Sequence, residues 1–227
     1  MSKRHLVVLS GAGISAESGL KTFRDGDGLW NGYDVYEVAS PRGWKRDAAL
    51  VLDFYNMRRK DVLNAKPNAA HIGLAELEKG FDVTIITQNI DDLHERAGST
   101  NVLHLHGEIF KMRAVNDEYT IYDIREDINL GDTNKHGVQL RPHIVWFDEP
   151  VPMIEKAVSI TADADIFVVI GTSLQVYPAA SLLHYVSADV PKYIIDKNIS
   201  AINKYPGIHF IEKPATEGVK ELLKMLS

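Results

Sequence analysis

Apolar residues in this chain gather in short solid runs, each broken by glycine or a small polar residue. Leu6-Val7-Val8-Leu9 runs into Gly11 and Gly13, and Val83-Thr84-Ile85-Ile86 runs into the polar stretch Thr87–His94. Ile166–Ile170 ends at Gly171-Thr172-Ser173, Tyr193-Ile194-Ile195 ends at Asp196, and Val102–His106 makes a further short run. Runs of this length between turn residues fit strands buried on both faces. Apolar residues at helical spacing predict helices over 47–65, stopped by Pro67, over 68–79, stopped by Gly80, and over 217–226. Strands alternating with helices imply an α/β fold, a Rossmann-like doubly wound parallel sheet whose ligands lie beyond the strand carboxyl ends.

Two stretches fit that sheet poorly. The segment 29–44 is rich in aromatics and glycine without periodicity and reads as an ordered loop over a site, while 108–139 is irregular apart from a hairpin around 119–124. Residues 140–147 are expected to be extended. We therefore divide the chain into a Rossmann-like domain of 1–30, 68–107 and 141–227 and a smaller inserted domain of 31–67 and 108–140, with the ligand in the crevice between them.

Composition narrows the function. The 227 residues are 45% hydrophobic and 25% charged, enough for a sizeable core. A formal charge of −6 argues against a nucleic-acid-binding surface and is compatible with basic, lysine-bearing protein partners. No apolar run approaches a membrane span, and the run after Lys3-Arg4 is too short for a signal-peptide core, so a cytoplasmic protein without membrane association is expected. With no cysteine, disulfides, a thiol nucleophile and thiolate zinc sites are excluded.

Gly11, Gly13 and Ala16 fit the dinucleotide spacing G-x-G-x-x-G/A, in which glycine admits close approach of a pyrophosphate and the amides opening a helix form an anion cradle. A plain strand-to-helix turn has the same residues. A dehydrogenase would continue to a second strand ending in an acidic residue about 20 positions on; here the chain runs into Thr22-Phe23-Arg24-Asp25 and a turn. His104 and His106 share one face of a strand, and read as a metal pair, ordinary polar residues or a catalytic base. The polar run Gln88-Asn89-Ile90-Asp91 is turn chemistry or a ligand loop.

Taken in order, GAGISAESG…TFRD, TQNID, HLHG and GTS resemble the motifs of the sirtuins, NAD-dependent protein-lysine deacylases, over nearly the whole chain. The resemblance implies NAD as cofactor, held by Gly11, Ala12, Gly13, Ser15, Ala16, Phe23, Arg24 and Trp30 in the first segment. It adds Gln88, Asn89, Ile90 and Asp91 around the nicotinamide half, and Gly171, Thr172, Ser173, Asp196 and Ala215 toward the adenosine half. It implies His106 as general base, with Asn89 ordering the ribose and His104 structural. Val145, Trp146 and Phe147 are implied to pair the substrate backbone as an added strand. The implied reaction is attack of the acyl-lysine carbonyl oxygen on the nicotinamide ribose, followed by deprotonation of a ribose hydroxyl by His106, giving nicotinamide and O-acyl-ADP-ribose.

Three departures or refinements stand out. Sirtuins commonly hold a structural zinc on four cysteines in the region of 108–140; here His136 and scattered carboxylates make a poor zinc set, so no metal is expected and Met112, Tyr119, Ile121, Tyr122 and Ile124 are expected to hold the module. Asp148 and Asp196 stand where glycine and asparagine are more usual. Tyr55 and Arg58, three apart on the predicted helix 47–65, together form a carboxylate receptor. They resemble the Tyr-x-x-Arg pair of sirtuins that remove succinyl and malonyl groups, as in the bacterial desuccinylase/deacetylase (class III-like) branch, and Ala16 resembles the small residue that widens their pocket. The expected activity is therefore a desuccinylase/demalonylase with acetyl removal alongside it. A mono-ADP-ribosyltransferase or NAD glycohydrolase on the same site, and a non-catalytic NAD or ADP-ribose binding module, are the alternatives.

Overall fold

A computed structural model describes residues 2–22, 29–172, 174, 177–199 and 207–226. In chain order its elements are β1 (His5–Ser10), α1 (Gly13–Ala16), β2 (Leu29–Trp30), β3 (Tyr33–Asp34), α2 (Val35–Val38), α3 (Pro41–Arg46), α4 (Ala48–Asn64) and α5 (Ala69–Glu76). Then come β4 (Asp82–Thr87), α6 (Leu93–Arg96), β5 (Val102–His104), β6 (Gly107–Ala114), β7 (Ile121–Asp123), β8 (Leu140–Ile144), α7 (Ile154–Ala162), β9 (Ile166–Ile170), β10 (Lys192–Asp196), β11 (Ile208–Glu212) and α8 (Ala215–Leu226). Two 3-10 segments, Leu77–Lys79 and Ala179–Tyr185, complete the set.

Six strands form one sheet in the order β11-β10-β9-β1-β4-β5, with every neighbouring pair parallel. Counted along the sheet's own strands this is the 3-2-1-4-5-6 Rossmann order, in which the crevice opens where the chain reverses direction, between β1 and β9. The solid apolar runs follow from burial on both faces. Leu6 and Val8 pack with α5 and α8 through Leu74, Val219 and Leu222, while Val7 and Leu9 pack on the other face with Phe167, Val169 and Leu182. Each such side chain contributes roughly 1.5–3 kcal/mol by leaving water.

The strand ends are pressed together at the switch point. Gly13 donates its amide to the Gly171 carbonyl at 2.8 Å, and Gly11 donates to the Ile170 carbonyl at 3.0 Å. A Cβ on Gly13 would lie 2.7 Å from Gly171 Cα, so this crossing requires glycine on the β1 side, and Gly171 itself has φ +64°.

Strands β6, β7 and β8 make an antiparallel sheet in the order β7-β6-β8. The segment expected to be irregular thus begins with an eight-residue strand, β6. The hairpin expected at 119–124 is its outer arm, Ile121–Asp123 pairing with Lys111–Arg113. Strand β8, within the stretch expected to be extended, pairs with β6, so residues 140–144 belong to this small sheet. The stretch 29–44, expected as loop, is a short hairpin followed by α2 and α3, the latter capped by Ser40 and opened by Pro41. Tyr119 is 93% exposed and Ile121 and Tyr122 are exposed edge-strand residues, so they do not hold the module. Its small core is Leu52, Ala114, Ile128 and Leu140, with Met112 and Ile124 packed against it.

Candidate functional site

A cleft of about 520 Å3 opens where the carboxyl ends of β1, β4, β9 and β10 face α4 and the segment after β8. Gly11, Ala12, Gly13, Ser15 and Ala16 line it from the β1 turn, and Gln88, Asn89, Ile90 and Asp91 from the β4 loop. Gly171, Thr172, Asp196 and Ala215 line it toward the β10 end, His106 lines it from the link between β5 and β6, and Tyr55, Arg58, Val145, Trp146 and Phe147 wall the opposite side. Phe23, Arg24 and Ser173 lie outside the described residues.

The glycine turn corrects one expectation. Helix α1 is a single turn, and the amides of Ile14 and Ser15 are donated to the carbonyls of Gly11 and Ala12, as those of Gly11 and Gly13 are to Ile170 and Gly171. The turn therefore offers close backbone approach and little side-chain bulk rather than a row of free helix amides. Trp30, expected among cofactor residues, lines the cleft and packs against the aromatics of α4, its ring centroid 5.1 Å from that of Phe54 and 6.4 Å from that of Tyr55.

Ser15 is the hub of a buried polar network. Its hydroxyl donates to Asp91 Oδ2 at 3.0 Å and accepts from Asn89 Nδ2 at 3.1 Å, and His71 Nε2 stands 3.4 Å away. Asp91 Oδ1 accepts the Leu93 amide at 3.2 Å. Burial raises the Asp91 carboxyl above its ordinary value, against the opposing pull of the Leu93 amide and the Ser15 hydroxyl. Gln88 Nε2 donates to Thr172 Oγ1 at 3.2 Å, tying the β4 loop to the β9 loop.

The two histidines of the HLHG motif separate cleanly. His104 donates from Nδ1 to the Asn89 carbonyl at 3.0 Å, and its Nε2 meets Glu95 Oε1 at 2.7 Å. Burial lowers its pKa, but the hydrogen bond and charge of Glu95 outweigh that and hold it above the ordinary value. His106 donates from Nδ1 to the Gln88 carbonyl at 3.0 Å, which leaves Nε2 as the bare nitrogen. Burial pulls His106 below the ordinary histidine value, the Gln88 carbonyl partly offsetting it. One ring thus favours its proton and the other is poised neutral.

On the far wall, Trp146 is 3% exposed and stacks on Tyr55 at 6.5 Å with Arg141 over its other side, and Arg141 is bound twice by Glu149. Val145 donates its amide to the His106 carbonyl at 2.9 Å, fixing this wall to the HLHG segment. Tyr55 is fully buried and its hydroxyl makes no well-formed hydrogen bond among the described residues; burial pushes its pKa well up, with Arg141 and the Trp146 indole opposing. Among the described residues Arg58, three residues on, also lacks a partner at Nε, and its other nitrogens make only long contacts, 3.4 Å to Asp61 and 3.3 Å to the Lys21 carbonyl. Burial lowers the Arg58 pKa, with Asp61 and Asp91 opposing.

His71 and Asn68 are site residues that the sequence alone did not single out. Asn68 caps α5 and also binds the Ile14 carbonyl and Ser18, and His71 backs Ser15. The only signal was the cap position of Asn68 before a helical run.

A strand-ordered crevice with this motif order is matched by known proteins. The Sir2 family model matches residues 11–178. This chain belongs to the Sir2 family. Among Sir2-type relatives, a protein of Bacteroides thetaiotaomicron named NAD-dependent protein deacylase is 54% identical over 229 residues, covering 98% of each chain. One of the same name from Helicobacter pylori is 52% identical over 223 residues, covering 98% of this chain and 97% of its own. Among solved structures, a Sir2 homologue mutant in complex with ADP-ribose superposes with a TM-score of 0.88 at 38% identity, covering 98% of this chain and 91% of that one. A Sir2 homologue bound to NAD gives 0.86 at 37% identity, covering 99% of this chain and 90% of that one.

The four cysteines of the zinc ribbon expected from the family resemblance are absent. The chain has no cysteine, and among the described residues no group of three His, Asp or Glu side chains could hold a metal ion. NAD is a different case, because the polar groups and the small residues along the cleft match its parts. Asp196 at the end of β10 suits a ribose diol, the glycine turn suits a pyrophosphate, and buried Asn89 and Asp91 suit a second ribose and a carboxamide. Among the described residues no helix is long and apolar enough to cross a membrane.

Proposed function

We propose that this Sir2-family chain is an NAD-dependent protein-lysine deacylase that prefers acidic acyl groups, succinyl and malonyl, and also removes acetyl. NAD would supply an electrophilic ribose carbon and the hydroxyl that takes up the acyl group, and one water would be consumed in releasing the amine, so that the products are the free lysine side chain, nicotinamide and O-acyl-ADP-ribose. Asn89, with Ser15 and Asp91 behind it, orders the nicotinamide ribose. His106 takes a ribose hydroxyl proton on its bare Nε2, the tautomer set by the Gln88 carbonyl. The segment 145–147 pairs the substrate backbone, in the manner of an added strand, and brings the acyl chain between Trp146 and α4. The names of the relatives support the deacylase reading, and the shared cleft between a larger and a smaller inserted unit supports the residue roles.

The observation that carries the acyl preference is that two buried donors on one wall of the cleft, Tyr55 Oη and Arg58 Nε, make no well-formed hydrogen bond among the described residues. Buried donors without partners are costly, and a carboxylate at the end of an acyl chain would satisfy both. Charge-assisted bonds of about 1.5–3 kcal/mol correspond to a preference of roughly ten- to hundred-fold over acetyl. The experiment is a mass-spectrometric comparison of succinylated, malonylated and acetylated peptides with NAD, for the wild type and for Tyr55→Phe with Arg58→Met. Loss of the succinyl preference in the double variant, with acetyl removal retained, supports the reading. An unchanged ranking defeats the pocket assignment, and NAD consumption that ignores the peptide points to a glycohydrolase or ADP-ribosyltransferase.

A further inference from the structure

With no cysteines to hold the segment 108–140 on a thiolate zinc, its anchorage must come from other contacts, and the hydrogen bonds run to helix α4. Asn56 grips both sides of one residue: its Nδ2 donates to the Ile128 carbonyl at 3.0 Å, and its Oδ1 accepts the Ile128 amide at 2.9 Å. The same Oδ1 accepts from Arg59 Nη1 at 2.8 Å. Arg59 goes on to the Glu126 carbonyl at 3.1 Å through Nη1 and to the Ile109 carbonyl at 3.0 Å through Nε. Asn56 is 5% exposed and Arg59 1%, and burial lowers the guanidinium pKa to about 10. Among the described residues Arg59 makes no ion pair; its partners are backbone carbonyls and one side-chain amide. A planar fork of donors suits several carbonyls at fixed angles, as a single ammonium does not.

The second link leads to the chemistry. Ile109, whose carbonyl Arg59 holds, donates its own amide to the Ile90 carbonyl at 2.8 Å. Ile90 lies between Asn89 and Asp91, and Ile109 follows His106 by three residues. Arg59 therefore binds the strand that follows His106 directly, and one residue separates it from the ribose-ordering loop. The neighbouring positions on the same turns of α4, Tyr55 and Arg58, line the cleft.

We propose that Asn56 and Arg59 form a clasp that replaces a structural metal, and that Arg59 is, through Ile109, a positioning residue for the loop that holds Asn89 and Asp91. The first half stands independently of the catalytic reading; the second rests on the deacylase function proposed above. The clasp has a plain physical advantage. A zinc site on thiolates must be loaded and kept reduced, whereas hydrogen bonds from a buried guanidinium form with the fold itself.

The test uses the full chain and the variants Arg59→Met, Arg59→Lys, Asn56→Ser and, as a control, Lys60→Ala, which removes only the exposed ion pair with Asp127. Amide hydrogen exchange, ADP-ribose affinity, and kcat and KM for NAD and a succinylated peptide are measured, and wild-type melting is followed with and without a strong zinc chelator. In Arg59→Met, exchange at Ile109 and Ile128 accelerates about tenfold or more, the effect of losing one or two hydrogen bonds, while β1 and β4 are unchanged. Its kcat falls about tenfold with KM for NAD within about twofold, the signature of a misplaced loop rather than a lost binding contact. Arg59→Lys lies between, Lys60→Ala matches wild type, and the chelator leaves the melting temperature where it was.

A drop in wild-type melting temperature on chelation would overturn the clasp, as would Arg59→Met with unaltered exchange or with equal acceleration throughout the six-stranded sheet. Accelerated exchange with kcat unchanged would overturn the positioning role alone. If Arg59→Met does not fold, Asn56→Ser decides the matter: faster exchange at Ile128 supports the clasp, and unaltered exchange defeats it. If the wild type itself turns over no acylated peptide, the deacylase reading fails and the exchange and chelator arms still judge the clasp.

Discussion

His106 donates Nδ1–H to the carbonyl oxygen of Gln88 at 3.0 Å, so the residue before Asn89 decides which nitrogen of this imidazole is free. Burial keeps the same ring below its ordinary value of 6.5. Since only the neutral ring accepts a proton, kcat/KM should rise with pH through an apparent pKa below 6.5 and be level at neutrality. A pH–rate profile whose acidic limb lies clearly above that value would contradict the assignment.

Replacing His106 by alanine should lower turnover by about 10²–10⁴ while ADP-ribose affinity is retained. Replacing His104 by glutamine should act differently, since the ring does not line the cleft and its bonds go to Glu95 and to the Asn89 backbone. Its expected signature is a lower melting temperature with the pH–rate profile unmoved. Steady-state kinetics and thermal melts on both variants distinguish a base from a brace.

Gly107 has φ +79°, and a Cβ there would stand 2.0 Å from the His143 carbonyl oxygen. Neither the backbone conformation nor the packing leaves room for a side chain. Gly107→Ala should therefore destabilise the protein by about 2–4 kcal/mol and displace the adjoining His106. Denaturant unfolding and activity should fall together; an alanine variant of wild-type stability would refute the contact.

Acid should unfold this protein for a reason unrelated to its active carboxylates. His71 is buried with its pKa lowered to about 4, and His94, fully buried beside it at 5.0 Å, is well below its ordinary value. Both are depressed in the folded state, so the unfolded chain binds more protons between about pH 6.5 and about pH 4. The stability they carry is present above that window and is lost as pH falls through it. Each pH unit between the unfolded and folded values is worth roughly 1.4 kcal/mol, or on the order of 3 kcal/mol for His71. His104, raised by Glu95, opposes this trend, its contribution being present at low pH and lost as pH rises. Melting temperatures measured across this range should decline toward acid, and His94→Gln should flatten the slope.

How much of this was legible in the sequence depends on what each residue answers to. Strand ends were legible because Gly11, Thr87, Gly171 and Asp196 each end a buried run, and such runs have no reading other than core. The loop at 88–91 and the histidine at 106 were legible because their side chains come from two continuous motifs. Strand β6 was not, because Gly107–Ala114 carries Glu108, Lys111 and Arg113 and a bulge between Gly107 and Met112 breaks its alternation. The roles of Asn56 and Arg59 were hidden for a different reason. A polar residue on a helix reads as solvated until a distant backbone, here 126–128, is known to lie against it. The exposure of Tyr119 was equally invisible, since an aromatic in a hairpin signals packing as readily as a free edge.

A chain of 227 residues without a thiol has a practical consequence. A single cysteine in place of Tyr119, whose side chain is 93% exposed at the outer end of the small sheet, would be the one site open to a maleimide dye. Fluorescence from that position would report on the small unit alone, free of background labelling, in a protein that oxidants of cysteine leave untouched.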